Sequence, residues 1–127
     1  MRKSSEALSG ETIKSKEAEK VFGEIAPFFA LVTDEILFDQ VWQRPQLSPR
    51  ERSLITVAAL IALYRTEQQT FHLQKAIENG LSVEELAEAM THLAFYAGWP
   101  CAATGLASLK KHLATEQQKQ TDAEEGK

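Results

Sequence analysis

The chain has 127 residues, 43% of them hydrophobic and 25% charged, with a formal net charge of −4. That length and balance suit one globular domain with a real core, and they exclude a disordered or fibrous chain. The acidic excess, with no long basic run, argues against nucleic acid as a partner, because neutralising phosphates requires clustered Lys and Arg.

Residues 1–16 alternate charged and small polar side chains and lack the apolar stretch of a signal peptide, so they read as a disordered tail in a cytoplasmic protein. The folded unit is expected over 17–114 and is helical throughout, since no segment alternates polar with apolar β-branched residues between turn clusters. Helices are expected near 17–30 and 31–42, the second open to a kink. Next comes 49–64, announced by Ser48-Pro49-Arg50-Glu51, in which a capping serine, a proline at the first helical position and a glutamate at the third coincide. Leu54 to Leu63 is apolar except at Thr56, and is about half the length a membrane span needs. A helix apolar on nearly every side has to be buried all round. In so small a domain, burial between subunits is the economical way to achieve this, with a central helix inside a monomer as the alternative.

A helix over 67–79 follows and stops at Asn79-Gly80. On it, Gln68 and His72 share one face, with Arg65 and Lys75 nearby, so Gln68 could fix the tautomer of the His72 ring. A lone helical histidine is also commonly structural. Ser82-Val83-Glu84-Glu85 opens a helix over 83–97, which carries His92 and Tyr96 four residues apart. Gly98-Trp99-Pro100 then breaks the chain and starts a helix over 100–114. Phe95, Tyr96 and Trp99 read either as core or as pocket wall. Arg52 reads either as an anion anchor, gripping a carboxylate with two hydrogen bonds, or as a solvated partner of Glu51. The lone Cys101 permits no intrachain disulfide and no thiolate cluster, and no Cys/His metal spacing or phosphate loop is present. After Ala114, TEQQKQTDAEEGK has no hydrophobic residue larger than alanine, so 115–127 reads as a second disordered tail.

In order, WQRPQLSPRERSLITVAALIALYRTEQQTFHLQKAIENGLSVEELAEAMTHLAFYAGWPCA resembles the carboxymuconolactone decarboxylase family. The likeness is carried by an Arg52-Ser53 pair opening an apolar helix, a histidine helix, NGLSVEEL and then YAGWP. The resemblance implies an all-α bundle of about six helices of the alkylhydroperoxidase D-like type, assembled as a homo-oligomer, often a trimer or hexamer. Sites in such proteins form where the histidine helix meets other helices, sometimes those of a neighbouring subunit. The redox branch of the family needs two cysteines, at the positions held here by Arg65 and Gln68, so a dithiol peroxidase is not expected. The decarboxylase branch fits better, although it usually has glutamate where Gln68 stands and histidine where Glu67 stands.

That branch implies decarboxylation of a small carboxy-lactone or similar organic acid, as in aromatic-compound breakdown, with no cofactor and no metal. His72, Gln68 and Arg52 would be catalytic, and Ser53, Glu67, His92, Tyr96 and Trp99 would contact the substrate. Two other readings are a peroxide-handling protein using Cys101 or a partner thiol, and a non-catalytic oligomer that binds a small molecule.

Overall fold

A computed structural model describes residues 15–126. Most of the predicted N-terminal tail therefore lies outside the described residues. The described chain is all α-helical in character, with no strand. It divides into two compact units, one ending at Pro49 and the other beginning at Arg50.

In the first unit, the helix expected over 17–30 is two short ones, α1 (Glu17–Phe22) and α2 (Pro27–Val32). The cause is Pro27. The residue before a proline is pushed out of the helical region, and Ala26 sits at φ −139°, ψ 72°. The stretch expected over 31–42 becomes a π-helical segment, Thr33–Phe38, followed by a 3₁₀ turn, Val41–Gln43. Asp34, in the π segment, caps α1. Its carboxylate accepts hydrogen bonds from the backbone N–H groups of Ala18 at 2.9 Å and Glu19 at 3.0 Å, and from Ser15 Oγ at 2.9 Å. These are the orphan donors that the first turn of any helix leaves open. Next to it Glu35 is fully buried, and neither of its carboxylate oxygens accepts a hydrogen bond.

The second unit holds α3 (Pro49–Ala62), α4 (Thr66–Glu78), α5 (Val83–Ala94) and α6 (Trp99–Glu125). Its punctuation follows the sequence. Pro49 starts α3, and Gly80, at φ 103°, carries the turn after α4 in a conformation that glycine adopts without strain. Ser82 Oγ accepts from the Glu85 N–H while Glu85 Oε1 accepts from the Ser82 N–H, both at 3.0 Å, a complete capping box. The other Glu85 oxygen accepts from Arg50, which joins the start of α5 to the start of α3.

The core of this unit gathers Val57 and Ile61 from α3, Leu73 from α4, Leu86 and Met90 from α5 and Leu109 from α6. Each such side chain, fully buried, contributes about 1.5–3 kcal/mol. Gly105 lets α6 come close to α3, since a Cβ there would stand 3.1 Å from Ile61 Cδ1.

Two features depart from expectation. First, α3 is not buried all round within the chain, which departs from the alternative of a central helix inside a monomer. Only Ser53, Val57 and Ile61, spaced by four, are buried, while Ile55 is 56% and Leu63 62% exposed. Second, α6 does not end near 114 but runs to Glu125, through the stretch expected as a tail. After Gly105 no proline or glycine interrupts it before Gly126, and its Gln, Glu, Lys and Ala residues are good helix formers.

Candidate functional site

His72 occupies the middle of α4, where its neighbours at i+1 and i+4, Leu73 and Ala76, are buried. The ring itself is half-buried and meets Phe71 edge-on, with centroids 4.9 Å apart and planes at 87°. Burial disfavours the charged imidazolium, and the nearby Lys75 ammonium disfavours it further. Together they hold the His72 pKa below its ordinary 6.5. At neutral pH the side chain is therefore a neutral imidazole, able to hydrogen bond through both ring nitrogens. Lys75 also lies over the Phe71 ring, 6.0 Å from its centroid.

The other residues nominated by sequence are not all gathered round His72. Gln68 and Glu67, in the first turn of α4, are exposed. Arg52, in the first turn of α3, is half-buried, with its Nε fully enclosed. Ser53 is completely buried, and its hydroxyl accepts a hydrogen bond from Asn79 Nδ2 at 3.0 Å, linking α3 to the end of α4.

His92 and Tyr96 do meet, their rings stacked with centroids 4.9 Å apart and planes at 29°. Phe95 and Trp99 meet edge-on at 5.9 Å. Tyr96 is 80% and Trp99 66% exposed. His92 lines a groove of about 490 Å³ between α3 and α5, with Leu54 and Ala58 on one wall and Glu88, Ala89 and Leu93 beside it on the other. His72 is not among the residues lining that groove. The two histidines thus belong to different surroundings.

Cys101 is half-buried in the first turn of α6, its thiol directed at the Ala62 carbonyl oxygen 3.9 Å away. Among the described residues, no group of three His, Cys, Asp or Glu side chains is placed to hold a metal ion.

In the second unit, two buried polar residues were not nominated from sequence. His112, on α6, is buried with Nε2 2.7 Å from Gln74 Oε1. Gln69, on α4, is 2% exposed and neither its Oε1 nor its Nε2 has a hydrogen-bond partner. The signal for Gln69 was present in the sequence: it precedes Leu73 by four and Ala76 by seven, which puts it on the helix's apolar stripe.

Comparison with known families matches residues 27–111 to the model of the carboxymuconolactone decarboxylase family. Among curated proteins, the 4-carboxymuconolactone decarboxylase of Acinetobacter baylyi is 43% identical over 61 residues, covering 48% of this chain and 46% of that protein. The nitrosuccinic acid decarboxylase npaB of Metarhizium robertsii is 33% identical over 94 residues, covering 71% of this chain and 65% of that protein. The chain thus spans about half to two thirds of the length of these relatives.

Proposed function

The chain belongs to the carboxymuconolactone decarboxylase family, and on that premise we propose that it is a carboxy-lyase acting on a small organic acid. The observation that carries the reading is the family match over residues 27–111, which spans both the α3 arginine and the α4 histidine. The names of the two relatives share the loss of carbon dioxide from a small acid bearing an electron-accepting group, a lactone in one and a nitro group in the other. We take the substrate to be of that class, a carboxy-lactone first, converted without a cofactor in the cytoplasm.

Arg52 holds the substrate through an oxygen that bears or develops negative charge. The bond to the departing carboxylate breaks, carbon dioxide leaves, and the electron pair spreads into the unsaturated lactone. His72, as imidazolium, then delivers a proton to carbon, and the neutral ring is reprotonated from solvent. One proton is consumed for each carbon dioxide released. Gln68 orients the ring. Ser53, Glu67, His92, Tyr96 and Trp99 complete the contacts in a homo-oligomer, a trimer or hexamer, in which exposed aromatic side chains gain a neighbour.

The test is an ultraviolet assay of 4-carboxymuconolactone consumption by wild type and His72→Ala at matched fold and oligomeric state. We expect His72→Ala to lose about 100-fold or more in kcat, the usual reach of a general acid. Equal rates would remove His72 from the mechanism. No consumption by the wild type would reject the carboxy-lactone reaction.

A further inference from the structure

Gln69 is the exception on the buried face of α4. The stripe it belongs to is otherwise apolar, with Leu73 and Ala76 fully buried, and a primary amide there has to be desolvated. An amide taken from water without compensating hydrogen bonds costs stability. Leucine is close to glutamine in size and would avoid that cost. Yet Gln69 is 2% exposed, and neither end of its amide is engaged by another group of the protein. Gln68 beside it is exposed, and a step of one residue turns a helical side chain by about 100°.

We propose that Gln69 is a ligand-binding residue, whose amide takes an oxygen-bearing group of the same small organic acid that His72 addresses. The inference rests on the reading of the chain as an organic-acid carboxy-lyase. The placement supports it: Gln69 and His72 are three apart on one helix, hence neighbours on its surface, and Gln69 is the more deeply buried of the two. The chemistry supports it too. Nε2–H donates to a carboxylate or lactone carbonyl oxygen, and Oε1 accepts from a ligand hydroxyl or a protonated carboxyl. The amide brings no charge of its own, so it can fix the orientation of the acid without opposing the movement of charge during decarboxylation. A site built to hydrogen bond its ligand in this way discriminates strongly, because the wrong ligand leaves buried polar groups unpaired.

The test compares wild type, Gln69→Leu and Gln69→Glu in two measurements. Calorimetric binding of succinate, an unreactive dicarboxylate probe, is read alongside thermal unfolding of each variant. Turnover of 4-carboxymuconolactone is read separately. For Gln69→Leu we expect succinate affinity to fall at least tenfold while the melting temperature holds or rises. Gln69→Glu should bind still more weakly, because its buried carboxylate opposes an anion. Where the wild type turns over the lactone, KM of Gln69→Leu should rise more than kcat falls. Undiminished succinate affinity in Gln69→Leu would overturn the proposal, as would a wild type that binds no succinate. A lowered melting temperature with unchanged affinity would make Gln69 purely structural. A wild type that binds succinate through Gln69 but consumes no lactone would reject the reaction and leave the binding role standing.

Discussion

At the residue scale, the charge state of His72 governs both stability and chemistry. Its folded pKa lies below the unfolded 6.5 because burial and Lys75 both oppose protonation. Between that lowered value and 6.5, the unfolded chain binds more protons than the folded one, so stability falls as pH falls through the window. His72→Gln should lack this component, and chemical denaturation of the two proteins at pH 7.5 and pH 5.5 checks it. For activity the sign is also determined. If the imidazolium is the acid, turnover declines as pH rises above the lowered pKa. Removing the nearby ammonium in Lys75→Gln should move that inflection to higher pH, seen in the kcat profile. An inflection that stays in place would mean that His72 does not set it.

At the element scale, the start of α5 offers the clearest wager. The capping box joins two backbone donors to two side-chain acceptors, and Ser82→Ala removes one of these and leaves the Glu85 N–H open. A loss of about 1 kcal/mol is expected, visible as a lowered midpoint in urea unfolding. The same features explain what could be read in advance. Starts at Pro49 and Ser82 and stops at Gly80 and Gly98 are written in local chemistry, so α3, α4 and α5 fall close to their expected limits. The division of 17–30 at Pro27 was legible too, from a proline inside the expected helix. The π-helical turn over Thr33–Phe38 was not, because no local residue preference separates it from an α-turn. His72 could be nominated from sequence, whereas the choice between Gln68 and Gln69 depends on which side of α4 meets the core. The apolar spacing of Leu73 and Ala76 marks that side, and counting residues between polar side chains alone misses it.

At the scale of the whole molecule, the largest unmet demand is apolar surface. In the first unit Ile25, Phe28 and Phe29 are exposed; in the second, Ile55, Leu63, Phe95, Tyr96 and Trp99 are. Monomers rarely leave so many large apolar side chains in water, and exposed clusters of this kind commonly mark interaction surfaces. We expect light scattering to find a homo-oligomer at micromolar concentration. Ile55→Asp, on the open side of α3, should shift it towards smaller species, because it puts a charge where apolar contact is needed. A wild-type mass equal to a single chain would count against assembly.

One end of the molecule stands apart from these constraints. The last turns of α6 leave the body of the second unit, and from Gln117 to Gly126 every residue is exposed. A solitary helical rod of this length owes its order to the turns that precede it, since isolated short helices are marginal in water. No core side chain there has to be answered for. Charge, and with it solubility and colloidal behaviour, can be rewritten along this stretch almost independently of the packing that holds His72 in place.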